Sequence, residues 1–165
     1  MSMQFANVWE RVADTVGDEI ALINGDKKSS WSSFDSKAAK IATILEEHGL
    51  KSDSKVGIYL HNSNEYLEAQ YGVFKIEGVP INVNYRYKEN ELIYLLDNAD
   101  AEAVFFQGCY ADRIKAIKDQ LPKIKVYIQV DDGTEPLMPG ALEDENSISS
   151  SKEQKRFNRT EENIY

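Results

Sequence analysis

The sequence predicts an α/β fold: a mostly parallel sheet with helices on both faces, preceded by a short N-terminal hairpin. Three observations carry this prediction. Short apolar runs alternate with stretches whose apolar residues recur at helical spacing. Glycines and capping residues punctuate the boundaries between them. After the hairpin, strands and helices alternate, an order that calls for crossover connections and parallel neighbours.

The elements follow in order. Phe5, Val8, Trp9, Val12, Ala13 and Val16 recur at helical spacing, with Gly17 as a stop. "EIALING" (19–25) reads as a strand, Asn24-Gly25-Asp26 supplies turn chemistry, and "KSSW" (28–31) returns as a second arm. Ser32 is the expected cap of the next helix, with Asp35 three residues on. Phe34, Ala38, Ile41 and Leu45 form its apolar stripe and Gly49 ends it. "KVGIYL" (55–60) is a strand. Asn62 is the expected cap of a third helix, with Glu65 as its reciprocal partner. Tyr66, Leu67, Ala69, Tyr71, Val73, Phe74 and Ile76 make that helix apolar on more than one side, and Gly78 stops it. "VPINVN" (79–84) is a strand with Pro80 near its start, where a missing N–H is tolerated. Leu92, Leu95, Leu96 and Ala99 mark a helix, and "AEAVFF" (101–106) a strand. Tyr110, Ile114, Ile117 and Leu121 mark another helix, closed by Pro122, before the strand "IKVYIQV" (124–130).

Beyond Val130 the character changes. "DDGTEPLMPG" is a loop by composition, and the polar run that follows predicts a short helix at most and then a mobile linker. The expected division is an α/β unit over 1–130, a polar loop and linker over 131–163, and the start of a strand at 164–165.

A chain of 165 residues can build a core without disulfides or metals. Its net charge of -9 argues against a nucleic-acid or anionic-membrane partner. Cys109 is the single cysteine, so a reducing, cytoplasmic setting is expected. The N-terminus lacks the basic start and apolar run of a secretory signal, and no stretch approaches the length of a membrane span. Asn158-Arg159-Thr160 matches a glycosylation acceptor and is read as chance.

The candidate chemistry is sparse. No dinucleotide-binding glycine pattern follows a strand, and Gly72 and Gly78 do not match a phosphate loop. His48 falls at a helix end, where it interacts with the negative pole. His61 lies just past a strand, where open α/β sheets bind ligands, but it has no metal-ligating or catalytic partner nearby in sequence. Cys109 precedes a helix, whose N-terminus can lower a thiol pKa, although a small residue filling the turn is the simpler reading. The acid pairs Glu46-Glu47, Asp131-Asp132 and Glu161-Glu162 read as solvated. The tyrosines of Tyr85-Arg86-Tyr87 are expected to cover the sheet edge, with Arg86 paired to a carboxylate. The residues themselves assign no catalytic, cofactor-binding or metal-binding side chain.

The segment "GVPINVNYRYKENELIYLLDNADAEAVF" (78–105) resembles the AMP-forming acyl-CoA synthetases of the adenylate-forming ligase superfamily. The resemblance reaches upstream through "VGIYLHNSNEY" and covers roughly residues 5–130; "NVNYRY" is most similar to fatty-acid and related acyl-CoA synthetases. It implies the N-terminal portion of an enzyme that joins a fatty or other organic acid to ATP, releasing pyrophosphate. Coenzyme A thiol then displaces AMP. ATP, magnesium and coenzyme A are the implied cofactors of the complete enzyme. "RTEENIY" (159–165) is similar to the entry of the family's strand before its Ser/Thr/Gly-rich phosphate loop. That loop and the family's catalytic residues have no counterpart here, so no site residue is carried over and the chain alone is expected to be inactive. Two alternatives remain: an interaction or dimerisation module acting through an uncovered sheet edge, and an unrelated nucleotide-binding α/β protein, which the glycine pattern opposes. A further expectation is that the helix stripe from Tyr66 to Phe74 lies partly exposed.

Overall fold

A computed structural model describes residues 4–159. Helix α1 (Phe5–Val16) starts where the Gln4 side chain accepts the backbone N–H groups of Ala6 and Asn7. Strands β1 (Ile20–Asn24) and β2 (Lys27–Ser30) form the antiparallel hairpin, turned at Gly25 with φ +57°.

Helix α2 (Trp31–Glu47) is capped by Ser30, whose Oγ accepts the N–H of Ser33 at 3.2 Å. The expected cap, Ser32, lies inside the first turn. The difference has a physical cause: Ser30, the last residue of β2, already has the extended backbone a cap requires. The same correction applies one helix later. Strand β3 (Lys55–Tyr59) is followed by α3 (Asn64–Lys75), and the cap is Ser63 rather than Asn62, with Ser63 Oγ accepting from Tyr66.

The chain continues through β4 (Val79–Asn82), α4 (Glu89–Asn98), β5 (Ala101–Gln107), a 3₁₀ turn at Gly108–Tyr110, α5 (Ala111–Ile117), β6 (Val126–Val130), β7 (Leu142–Glu143) and α6 (Asp144–Ser150). Strands β3 to β7 make one parallel sheet in the order β4-β3-β5-β6-β7. Alternation along β5 sends Ala103 and Phe105 to one face, packed with Ile41 and Leu45 of α2 and Val73 of α3. Val104 and Phe106 face the other way, onto Leu92 and Leu96 of α4 and Ile114 and Ile117 of α5. Helices therefore cover both faces.

A third cluster joins α1, α2 and α3 through Ala6, Phe34, Ala38, Tyr71 and Phe74, with Trp9 edge-on to Tyr71 at 4.9 Å. This overturns the expected exposure of the α3 stripe: Ala69, Tyr71, Val73 and Phe74 are buried, and Tyr66 is half-buried against the sheet core. Helices α1 and α2, both supplied by this chain, are the cover.

The segment after Val130 packs more than its composition suggests. Strand β7 extends the sheet, and Ile148 of α6 enters the core. Met138 is buried on the opposite face, its N–H donating to the buried Gln129 at 2.8 Å. Past α6 an extended run crosses α2 and α1: Gln154 N–H donates to Ala39 at 3.0 Å, and Arg159 is wholly buried. Its few anchors are too widely spaced to make a periodic signal, which is why composition alone reads as a linker. Thr160, Glu161-Glu162 and the expected strand start at Ile164 and Tyr165 lie outside the described residues.

Candidate functional site

In the order β4-β3-β5-β6-β7 the chain leaves β3 toward β4 on one side and β5 toward β6 on the other. The carboxyl ends of β3 and β5 thus flank the switch point, the place where open α/β sheets hold ligands.

Seven side chains meet there. Tyr59, at the end of β3, is buried and stacks on Tyr110 with ring centroids 4.3 Å apart. His61 Nε2 lies 2.7 Å from the Tyr110 hydroxyl, and its ring meets Tyr85 edge-on at 5.2 Å. The Tyr59 hydroxyl donates to the Tyr87 carbonyl at 2.7 Å. Arg113 of α5 donates to both, at 2.5 Å and 2.8 Å, and its Nε lies 3.6 Å from Glu89. Cys109 sits in the turn after β5 and is exposed. Sequence reading singled out His61, Cys109 and the tyrosines separately; the structure brings them together and adds Tyr59, Tyr110 and Arg113. The signal that could have found Tyr59 and Tyr110 is positional, since both lie within a few residues of a strand's carboxyl end.

The electrostatics limit what this cluster can do. Burial first, then the neighbouring Asp132 carboxylate, pushes the Cys109 thiol up, against the lowering a helix N-terminus could bring. Burial, then the neighbouring Cys109 and Tyr59, pushes Tyr110 up to about 12. Burial also raises Tyr59, although Arg113 opposes it. These groups stay neutral near neutrality, so the cluster supplies an aromatic, hydrogen-bonded surface rather than an activated nucleophile.

The turn after β5 could in principle offer backbone N–H groups to a phosphate. Asp132 takes that place: its Oδ2 accepts the Cys109 N–H at 3.0 Å, and a Cβ on Gly108 would lie 2.5 Å from its Oδ1. Burial raises Asp132, but hydrogen bonds from Thr134 and Cys109 outweigh it and hold the carboxyl below its usual value. An anionic group already fills the cradle, so this turn does not fit a nucleotide phosphate. Among the described residues no group of three His, Cys, Asp or Glu side chains is placed to hold a metal ion.

The other candidates resolve simply. His48 Nδ1 lies 2.8 Å from the Ile44 carbonyl at the end of α2. Glu46 accepts from Gln154 at 2.6 Å, and Asp131 accepts the Gly133 N–H within a turn. Arg86 has no carboxylate partner among the described residues, contrary to expectation; its guanidinium lies over the Tyr85 ring, 5.4 Å from the centroid. Sequence reading missed a buried ionic network altogether. Lys75 of α3 pairs with Glu10 of α1 at 2.7 Å and with Asp35 of α2 at 2.8 Å, while Tyr71 donates to Asp35 at 2.5 Å. The available signal was a lysine within a helix apolar nearly all round.

No described helix is long and apolar enough to cross a membrane. The family model described as AMP-binding enzyme matches residues 9–164. The 3-oxocholest-4-en-26-oate–CoA ligase of Rhodococcus rhodochrous is 34% identical over 168 residues, covering 100% of this chain and 30% of the relative. A medium/long-chain-fatty-acid–CoA/3-oxocholest-4-en-26-oate–CoA ligase of Mycolicibacterium smegmatis is 33% identical, with the same coverage of 100% and 30%. The chain thus spans about a third of the length of the curated relatives it matches. Among solved structures, the anthranilate CoA ligase AuaEII with anthranoyl-AMP gives a TM-score of 0.82 at 20% identity, over 89% of this chain and 28% of that one. Acetoacetyl-CoA synthetase from Streptomyces lividans gives 0.81 at 16% identity, over 92% and 26%. Both are likenesses of fold. With the family match spanning nearly the whole chain, the chain belongs to the AMP-binding enzyme family.

Proposed function

We propose that these residues supply the N-terminal part of an ATP-dependent acyl-CoA ligase acting in the cytoplasm on an acid with a large apolar body. The observation that carries this reading is the alignment to the Rhodococcus ligase along the whole chain. The fatty-acid and sterol-acid names of the relatives favour a carboxylate on an extended apolar skeleton. The complete reaction makes an acyl-adenylate and pyrophosphate, then a thioester as coenzyme A displaces AMP. It needs ATP, magnesium and coenzyme A, with the phosphate charge neutralised in the transition state.

Within that reaction this chain's own role is to build and orient. The parallel sheet fixes the carboxyl ends of β3 and β5, and Arg113 ties Tyr59, Tyr87 and Glu89 into one rigid corner. The 165 residues carry no glycine-rich phosphate loop, and the turn after β5 is filled by Asp132. By itself the chain therefore performs no adenylation.

Two arms test this. A chimera in which residues 5–159 replace the aligned part of the Rhodococcus ligase is expected to form acyl-CoA from the relative's own acid. A folded but inactive chimera counts against the assignment. The chain alone, given octanoate, ATP, magnesium and hydroxylamine, is expected to yield no acyl-hydroxamate; product above background refutes its inactivity. A second reading, an interaction module, is favoured by the half-exposed outer strand β4 and by Ile20 and Ile23, exposed on the hairpin. Concentration-dependent dimerisation in sedimentation supports it, and a monomer at all concentrations removes it.

A further inference from the structure

The aromatic corner is not the only feature at the carboxyl edge of the sheet. On the face covered by α2 and α3, the ends of β6 and β7 open onto a cavity of about 330 Å³. The size is that of a small-ligand site. Its lining differs in kind from the aromatic corner, because it is polar and rich in acids.

Two buried polar side chains in this lining have no partner. Asn64, the first residue of α3, and Asp144, the first of α6, are only 8% and 7% exposed. Neither side chain makes a hydrogen bond or close ion pair with another described residue. Their polar atoms open onto the cavity, where only a bound group or solvent can satisfy them. A third group lies alongside. Gln107 pairs in register with Val130, which lines the cavity, and its Oε1 is buried without a hydrogen bond. Gln107 does not line the cavity; Asn64 and Asp144 do, from two separate elements.

The charges around them set the sign of what would fit. From α3, Glu68 is held by Lys37 of α2 at 3.0 Å, and Glu65 by Lys27 of the hairpin at 3.4 Å. Those two pairs are internally balanced. Lys28 of the hairpin stands against Asp131 after β6, Glu143 at the end of β7, and Asp144 and Glu145 of α6. Negative charge is in excess, and Asp144 is its deepest member. A metal ion is disfavoured, since no three ligating side chains converge among the described residues. A group carrying both positive charge and several N–H donors suits the Asp144 carboxylate and the Asn64 side-chain oxygen.

We propose that this cavity binds a small organic ammonium, such as an aliphatic diamine, through the Asp144 carboxylate and the side-chain oxygen of Asn64. The site is independent of the ligase reading, because it uses none of the switch-point residues. Binding is coupled to a proton. Burial, then the neighbouring Glu68 and Glu65, pushes Asp144 up to about 7, with Lys37 opposing and Glu143 adding to the rise. The ammonium needs the ionised carboxylate, so it displaces the proton of the neutral form into solvent as the ion pair forms.

The test is calorimetric titration of the 165-residue chain with putrescine at constant ionic strength, in buffers of differing ionisation enthalpy. One saturable site is expected, about tenfold tighter near pH 8 than near pH 6, with proton release in the lower range. Asp144→Asn should weaken binding at least ~10-fold at the higher pH and abolish the pH dependence. Glu145→Gln, at the exposed rim, should stay within about twofold. Asn64→Ser gives a second reading if Asp144→Asn does not fold, and should weaken binding by several-fold. Absence of saturable binding overturns the proposal. So does binding that Asp144→Asn and Asn64→Ser leave intact, which would mark diffuse attraction to an acidic protein.

Discussion

One guanidinium nitrogen of Arg159 lies 3.1 Å from both carboxylate oxygens of Glu10, a residue 149 positions earlier in the chain. Neither side chain is more than marginally exposed. The same guanidinium donates to the Lys75 carbonyl at 2.8 Å, and the Arg159 carbonyl accepts from Asn7 at 3.1 Å. The run after α6 is thereby fastened to α1 and α3. Removing Arg159 leaves Glu10 with Lys75 as its remaining partner, 2.7 Å away, so the loss is that of the charge-assisted hydrogen bonds and the Lys75 carbonyl contact, about 1.5–3 kcal/mol. Arg159→Ala should therefore lower stability by that order in denaturant titration. Amide exchange should quicken over residues 151–159 and in α1, while the sheet strands keep their rank order of protection. A variant as stable as the parent would show the pair to be energetically idle.

The acid limb of the stability curve should report Asp35. Burial raises its pKa, but hydrogen bonds from Lys75, Tyr71 and Arg156, together with the Lys75 charge, outweigh that and set it below the usual 3.8. A carboxyl depressed in the folded state stabilises fully above the unfolded value and loses that contribution as pH falls through the folded one. Asp35→Asn should cost about 1–3 kcal/mol at neutral pH. The difference from the parent should shrink below about pH 4 as the parent's own carboxyl is neutralised. Parallel curves for the two proteins down to the acid limit would contradict this.

These two networks mark the boundary of what the sequence made legible. Apolar patterning located α1 to α5 and β3 to β6 because each buries an apolar face, and turn chemistry at Asn24-Gly25-Asp26 located the hairpin. Caps were missed by one or two residues at Ser30 and Ser63, where neighbouring polar residues compete and only backbone geometry decides. Strand β7 has two residues, too few for any period. Arg159 and Asp144 were not singled out, because burial by distant segments leaves no local trace. The switch-point cluster was half visible, through His61 and Cys109, while Arg113 gave no sign of joining them.

Asp144 should act on stability with the opposite sign to Asp35. Its folded value of about 7 lies above the unfolded 3.8, so its ionisation penalises the folded state. The penalty is absent below the unfolded value and complete once pH exceeds the folded one. Asp144→Asn is therefore expected to equal the parent near pH 4 and to exceed it by about 1–3 kcal/mol near pH 8. Chemical denaturation at the two pH values measures the difference. A variant less stable than the parent at the higher pH would mean that the carboxylate has a favourable partner in the folded protein.

Gly72 is a point of close approach between α3 and α2. A Cβ added there would lie 2.3 Å from Ile41 Cγ2 and 2.7 Å from Ile41 Cβ, within the largest core cluster. The second contact is to a branched carbon near the α2 backbone, so rotation of the side chain cannot relieve it. Gly72→Ala improves intrinsic helix propensity by about 1 kcal/mol, yet overpacking costs about 1–3 kcal/mol. Net destabilisation is expected, and the cost of Gly72→Ala should be smaller when measured in an Ile41→Ala background, which lacks the nearer Cγ2. A stabilised single variant would show that the helices separate freely.

Cys109 should be a slow thiol despite its exposure. Burial and the Asp132 carboxylate both raise its pKa, so the thiolate that reacts with alkylating agents is scarce near neutrality. Iodoacetamide should modify it more slowly than a free peptide thiol at about pH 7, the rate rising roughly tenfold per pH unit until the thiol ionises. Asp132→Asn removes the repelling charge while keeping an oxygen for the Cys109 N–H, and should speed modification several-fold. Mass spectrometry of timed aliquots gives the rates. Equal rates in the parent and the variant would assign the slowness to burial alone, and a parent faster than the peptide would reverse the sign of the local field.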